Sequence, residues 1–159
     1  MGETRPFAQI QLRAGTLADL NSLLALEVAV FSGDRLSRRQ LRHHLRADSS
    51  DLLVASGAGA LLGYALLLHR RGSSMGRIYS IAVSAQARGL GLGSRLLEAI
   101  ESTAAERGLR RMQLEVRADN EAAIKLYLRH GYLRYAQRPG YYEDGAEALC
   151  MRKAIGPRV

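Results

Sequence analysis

The stretch Ile78–Glu101, I-Y-S-I-A-V-S-A-Q-A-R-G-L-G-L-G-S-R-L-L-E-A-I-E, constrains this chain more than any other. Its apolar, partly β-branched start (Ile78, Ile81, Val83) reads as a buried strand. A short polar link leads into Arg88-Gly89-Leu90-Gly91-Leu92-Gly93, after which Leu96, Leu97, Ile100 and Ala104 repeat at helical spacing. Strand, glycine loop and helix start together make an anion cradle. Glycine lets backbone approach a phosphate closely, and the unpaired N–H groups of a helix N-terminus point at the negative charge. The spacing is not the G-x-G-x-x-G of a dinucleotide fold, and no Gly-Lys-Ser/Thr follows as in a P-loop. Taken alone, the loop also reads as a plain tight turn.

The rest of the chain fits one α/β domain spanning residues 1–159. That length is a single domain's and can bury a real core. No apolar run approaches the roughly 18 residues of a membrane span. Met1–Leu12 lacks the apolar centre of a signal peptide. Cys150, the single cysteine, has no internal disulfide partner, which points to a reducing, cytoplasmic setting and a small core residue. The net charge of +8 suits a polyphosphate ligand, but of the 23 basic residues only Lys125 and Lys153 are lysine. A uniform arginine bias of that kind arises from genome composition as readily as from binding.

Taken in order, Gln9–Arg13 alternates as a first strand, with Ile10 and Leu12 inward. Thr16 and Asp19 open a helix whose Leu20, Leu24, Glu27/Val28 and Phe31 fall on one face. Ser37 with Gln40 forms a capping box, Leu36 and Leu41 a hydrophobic staple, for a second helix carrying Leu41 and Leu45 on its inner face. Arg38, Arg39, Arg42 and Arg46 lie elsewhere on that helix. No interleaved aromatics or recognition motif turns them into a nucleic-acid site, so they read as a solvated face. Asp51–Ser56 and Leu61–His69 make a hairpin around Gly57-Ala58-Gly59-Ala60. Beyond Gly108, which stops the glycine-loop helix, Met112, Leu114 and Val116 alternate with Gln113, Glu115 and Arg117. A helix capped by Asp119 or Asn120 follows, with Ala123, Ile124, Tyr127 and Leu128 on one side and Gly131 at its end. Tyr132–Gln137 and Ala146–Lys153 close the chain as a strand pair before a loose tail, Gly156–Val159. The sum is about seven strands and four helices. His43, His44, His69 and His130 have no useful metal-ligand spacing, so no metal site is expected.

Arg88-x-x-Gly91-x-Gly93 after a strand ending Ile81-Ala82-Val83 resembles the acetyl-CoA-binding motif of the GNAT superfamily of N-acetyltransferases. Leu114-Glu115-Val116-Arg117-Ala118-Asp119-Asn120-Glu121-Ala122-Ala123-Ile124-Lys125-Leu126-Tyr127, ending His130-Gly131-Tyr132, is similar to the second half of that domain. The nearest likeness is to the branch that acetylates protein N-termini, typified by bacterial ribosomal-protein alanine N-acetyltransferases. The resemblance implies a mixed central sheet in which two parallel strands splay and pantetheine enters the gap. Acetyl-CoA would then lie on the backbone of Gly89, Leu90, Gly91, Leu92, Gly93 and Ser94, with Arg88 adding charge. Ile81, Ala82 and Val83 would pair with pantetheine, and Asn120 would cap its helix or touch the cofactor.

The resemblance also assigns chemistry. Glu115 matches the general base and Tyr127 the tyrosine that meets the departing thiolate. Tyr141 and Tyr142 match the paired tyrosines held over an acceptor peptide, and Phe31 lies where the acceptor cleft is built. The acceptor would be a protein or peptide N-terminus, such as that of a ribosomal protein, handled by a monomer or homodimer. From the residues alone, Glu115 reads first as an acid paired with Arg117 or Arg95 at a solvated strand face, and Tyr127 first as core. The chain departs from the resembled enzymes at Phe31-Ser32-Gly33-Asp34-Arg35-Leu36, where those carry a Phe-Pro-Trp-like segment. Lysine side chains, polyamines or aminoglycosides as acceptors, and a non-catalytic acyl-CoA-binding module, are the alternatives.

Overall fold

The polar–apolar alternation of the strands becomes one seven-stranded sheet in the computed structural model, which describes residues 9–156. The strands are β1 (Gln11–Ala14), β2 (Ser50–Gly57), β3 (Ala60–His69), β4 (Met75–Val83), β5 (Arg111–Arg117), β6 (Leu133–Arg138) and β7 (Ala148–Ala154). They lie in the order β1-β2-β3-β4-β5-β7-β6. The helices are α1 (Leu20–Val30), α2 (Arg38–Arg46), α3 (Leu92–Glu106) and α4 (Glu121–Arg129). This is the expected mixed α/β architecture. Pro157–Val159 of the expected tail and Met1–Ala8 of the leader reading lie outside the described residues.

Two cores sandwich the sheet. On one face Leu96, Leu97, Ile100 and Ala104 of α3 pack with Ile78, Leu114, Val116, Tyr127 and Met151. On the other, Leu20, Leu23, Leu26 and Leu41 of α1 and α2 meet Leu52, Val54, Tyr64 and Leu66. Each fully buried leucine contributes about 1.5–3 kcal/mol. Two inward expectations fail. Val28 is 61% exposed, because α1 turns Leu23 and Leu26 into the core instead; Leu128 is 49% exposed, because α4 packs through Leu126 and Tyr127. The strand bounds also shift. β1 begins at Gln11 rather than Gln9, β6 at Leu133 after a fully buried Tyr132, and β7 at Ala148.

Capping follows the sequence closely. Gln40 N–H donates to Ser37 Oγ at 3.1 Å, and Ser37 N–H donates to the Gln40 side chain at 2.8 Å. At the first helix, Asp19 accepts from Thr16 N–H at 2.8 Å and from both Arg13 guanidinium nitrogens at 2.8 Å. The turn over Leu17–Asp19 is 3-10 before α1 begins.

The site is made by an interruption. β4 and β5 are the parallel pair, joined by the α3 crossover that parallel strands require. Their pairing runs from Met75↔Arg111 to Ile78↔Leu114 and stops, although β4 continues to Val83 and β5 to Arg117. On the other edge of β4, Leu67 pairs with Ile78 and Leu66 with Ser80, leaving Tyr79 as an extra residue. Such a bulge bends its strand and increases the twist. It turns β4 away from β5 and opens a gap between Tyr79–Val83 and Glu115–Arg117.

Candidate active site

The gap opens beside the start of α3. The first helical bond there is donated by Arg95 N–H to the Gly91 carbonyl at 3.1 Å. The N–H groups of Leu92, Gly93 and Ser94 therefore have no acceptor within the helix. Gly89 (φ +80°) and Gly91 (φ +74°) both take the left-handed conformation, and a Cβ on either would meet nothing within 4 Å. Glycine is required at these two positions by the backbone angle, and the space above them is open. Gly93 has a different reason, since its Cβ would come 3.3 Å from Leu126 Cδ2 of α4. Arg88 and Leu90 are exposed, whereas the Leu92 side chain is core. Ser94 Oγ lies 3.0 Å from His130 Nε2.

Unpaired helix N–H groups on one side and the bare edge of Ile81, Ala82 and Val83 on the other fit a ligand that is anionic at one end and amide-bearing along its length. Asn120 caps α4, accepting from Ala123 N–H at 3.2 Å through Oδ1.

Across the gap stands Glu115, on the sheet face opposite α3 because it alternates with the core residues Leu114 and Val116. Neither Arg117 nor Arg95 pairs with it. Arg117 instead binds Asp119 and Asp144, and Arg95 donates to the Ile10 carbonyl at 3.1 Å. The partner is Arg77 of β4, whose Nε donates to Glu115 Oε2 at 3.1 Å and whose Nη2 donates to the Tyr141 hydroxyl at 2.9 Å. Arg77 lies opposite Gln113 in the β4–β5 register, one pleat from Glu115. Burial works against the Arg77 charge, yet Glu115 and Tyr141 hold the guanidinium pKa above its ordinary value. Glu115 Oε1 makes no hydrogen bond among the described residues, so one carboxylate oxygen is anchored and the other free.

Aromatic rings wall this neighbourhood. Tyr141 and Tyr142 stack edge to face with centroids 5.0 Å apart, and Arg117 lies over the Tyr142 ring at 5.0 Å. Burial, helped by nearby Tyr141 and Glu115, pushes the Tyr142 phenol up to about 12. Tyr79, the bulge residue, lies beneath Arg77, which sits 5.6 Å from its ring centroid. Tyr127 is 8% exposed and stacks edge to face on Tyr132 at 5.7 Å. Burial raises its pKa above that of an ordinary phenol, and its hydroxyl makes no hydrogen bond among the described residues.

Phe31 ends α1, half-buried against the α1–α2 core. The loop after it reaches the β6–β7 loop, where Glu143 N–H donates to the Asp34 carboxylate at 3.3 Å. Behind that loop is a buried acid that sequence spacing treated as one more helix-face position. Glu27 is 2% exposed, accepts from Leu36 N–H at 2.8 Å and from the Tyr64 hydroxyl, and so ties the end of the loop to β3. Ser80 Oγ lies 3.0 Å from the same hydroxyl, which connects the network to β4 beside the bulge. Arg77 and Glu27 were both missed from sequence. A lone acid in a leucine-rich helix was the available signal for Glu27.

A sheet whose parallel pair splays beside a glycine-started helix, with an acid on the far side of the gap, is an arrangement suited to an acyltransferase with an acyl-CoA donor. The chain belongs to the Acetyltransferase (GNAT) family, whose profile matches residues 18–132, and is an N-acetyltransferase; acetyl-CoA is the donor that this family generally uses. It is 33% identical over 156 residues to N-alpha-acetyltransferase RimI of Mycobacterium tuberculosis, covering 92% of this chain and 94% of that one. It is 38% identical over 146 residues to the uncharacterized protein ML0378 of Mycobacterium leprae, covering 87% of this chain. The chain spans only 40% of that relative's length. The crystal structure of the Escherichia coli ribosomal-protein-S18-alanine N-acetyltransferase superposes with a TM-score of 0.84 at 24% identity, covering 95% of this chain and 97% of that one. At that identity the likeness is one of fold.

Proposed function

We propose that this protein is a cytoplasmic single-domain enzyme that acetylates the N-terminal α-amine of a protein, with a ribosomal protein as one acceptor class. The observation that carries the reading is the free oxygen of Glu115, held by Arg77 at the mouth of the gap under Tyr141 and Tyr142. The name of the mycobacterial relative, N-alpha-acetyltransferase, supports the α-amine.

Acetyl-CoA supplies an activated thioester. Leu92, Gly93 and Ser94 N–H groups bind its pyrophosphate, with Gly89–Gly91 shaping the approach and Arg88 adding charge. Ile81, Ala82 and Val83 orient the pantetheine arm, and an N–H on that edge polarises the thioester carbonyl. A free α-amine has a pKa of about 7.7–8.0, against about 10.4 for lysine, so it is partly neutral at cellular pH. Glu115 Oε1 takes the proton released as the amine bonds to the acyl carbon, directly or through one water. Tyr127, its pKa raised by burial, stays protonated and donates a hydrogen bond to the departing sulfur. A phenol with a raised pKa is a poor acid, so the thiolate takes its final proton from solvent. Phe31, Tyr141 and Tyr142 hold the acceptor backbone.

The test is thiol release from acetyl-CoA across matched acceptors. The set comprises peptides with free Ala, Ser or Met N-termini, the same peptides N-blocked but carrying lysine, and several polyamines and aminoglycosides. The reading predicts turnover on free N-termini alone. Turnover on blocked lysine peptides or small amines would overturn it.

A further inference from the structure

The face that carries Glu115 is left bare of helices beyond β4, and its charge is one-sided. Residues directly opposite one another in a sheet share a face. By register, Arg77, Gln113, Arg152 and Leu133 form one row across β4, β5, β7 and β6. Glu115, Cys150 and Ala136 form the next row toward the gap, and Met75, Arg111 and Ala154 the row on the other side. These rows end in an open depression of about 350 Å³ lined by Arg111, Arg134 and Arg152, with Leu133 and Tyr135. Arg111 and Arg152, which the register puts on the Glu115 face, are exposed and have no ion-pair partner among the described residues, whereas Arg134 lies opposite Met151 and donates to the Gln137 side chain. Arg152 is steadied by lying 4.7 Å from the centroid of the Tyr135 ring. Lys153, the remaining cation of the lining, is already paired with Glu101 at 2.8 Å.

The position follows from strand geometry. Arg152 is two residues along β7 from Cys150, the register partner of Glu115. That is about 7 Å along the strand and about 5 Å across, so about 8 Å from Glu115. Arg111 is four residues from Glu115 on β5, about 13 Å away. An extended chain advances about 3.3–3.6 Å per residue. A peptide whose amine meets Glu115 and whose chain crosses this face brings its third residue to Arg152 and its fifth to Arg111. On the other side, the contact between Glu143 N–H and Asp34 brings two carboxylate-bearing residues together, which an acidic chain avoids. A second copy of this chain is a poor occupant, because it would bring like charges together.

We propose that the arginine face is the binding surface for the acceptor downstream of its amine, selecting protein N-termini with acidic residues at positions 3 to 5. The inference rests on the α-amine reading. Two exposed arginine–carboxylate pairs together favour the acidic acceptor by about tenfold in kcat/KM at low salt, which is about 1.4 kcal/mol in all. The advantage shrinks in high salt.

The experiment compares Ala-Ala-Asp-Asp-Glu, Ala-Ala-Asn-Asn-Gln and Ala-Ala-Lys-Lys-Lys peptides on the full chain, then on Arg152→Glu and on Arg111→Glu/Arg152→Glu. The preference ratio is read within each variant, so damage to folding cancels. The acidic peptide should lead by about tenfold in the parent, lose its lead in the single variant and fall behind the lysine peptide in the double. Equal rates for the acidic and neutral peptides would overturn this inference while leaving the α-amine reading intact. Absence of turnover on every peptide would overturn that reading instead. The surface is then judged by fluorescence anisotropy of the N-acetylated acidic peptide. Binding that the double variant weakens supports it, and binding unchanged, or absent in the parent, overturns it. A single-stranded RNA of equal charge that displaces the peptide at equal concentration would reassign the face to nucleic acid.

Discussion

Replacing Glu27 isolates the network that holds the loop between α1 and α2. In Glu27→Ala, the Leu36 N–H and the Tyr64 hydroxyl lose their shared acceptor in a site where Glu27 is 2% exposed. A buried donor left unsatisfied costs about 1–3 kcal/mol. Leu36 N–H has no substitute, whereas Tyr64 can turn its hydrogen toward Ser80 Oγ, 3.0 Å away. Removing the carboxylate also relieves its own desolvation, which offsets part of the loss. The expected net destabilisation is about 2–4 kcal/mol, a fall of roughly 5–15 °C in Tm for a chain of this length. Glu27→Gln should cost only about 1 kcal/mol. Its amide oxygen can accept from Leu36, and its NH₂ can donate to Tyr64 once that hydroxyl bonds Ser80. Urea denaturation of the two variants and the parent measures both values, provided the slope m is unchanged. A Glu27→Ala loss under about 1 kcal/mol, or a glutamine as damaging as alanine, would refute the network argument.

Two further outcomes follow from local geometry. The Arg13 guanidinium and Thr16 N–H hold the Asp19 carboxyl at about 2, below its ordinary 3.8. Its native pKa is depressed, so its contribution is complete above the unfolded value and disappears as pH falls from about 4 to about 2. Asp19→Asn should flatten the stability-versus-pH curve in that window, and an unchanged acid limb would contradict the pairing. Gly91→Ala forces a side chain onto a φ of +74°. It should cost about 1 kcal/mol in stability and weaken acetyl-CoA binding measured by calorimetry, while Gly72→Ala at φ +79° should cost stability alone.

Elements with strong local signals were legible in the sequence. The capping box at Ser37 and Gln40, the glycine turn at Gly89–Gly93 before α3, the Gly108 stop and the alternation of β5 each depend on neighbours a few residues apart. What escaped depends on tertiary placement. The Arg77–Glu115 pair joins residues 38 apart, and no spacing rule predicts that β4 and β5 set those two positions on one face. The bulge at Tyr79 is a mismatch between two strands, invisible in either one. Val28 and Leu128 satisfied helical periodicity yet face solvent, because periodicity gives a stripe's spacing and the packing partner chooses the stripe. The family resemblance singled out Glu115 and Tyr127 as candidates, and the fold supplied their environments: one oxygen of Glu115 anchored by an arginine, and Tyr127 too buried to be a strong acid.

The central claim is that Glu115 accepts the proton of an N-terminal amine. It is tested most directly by kcat/KM for an Ala-initiated peptide with Glu115→Gln, measured from pH 6 to 9 beside calorimetric acetyl-CoA affinity. The account predicts a loss of about 10²–10⁴-fold in turnover, greatest at low pH where the amine carries its proton, with acetyl-CoA affinity unchanged. Turnover equal to the parent across the range would remove Glu115 from the mechanism.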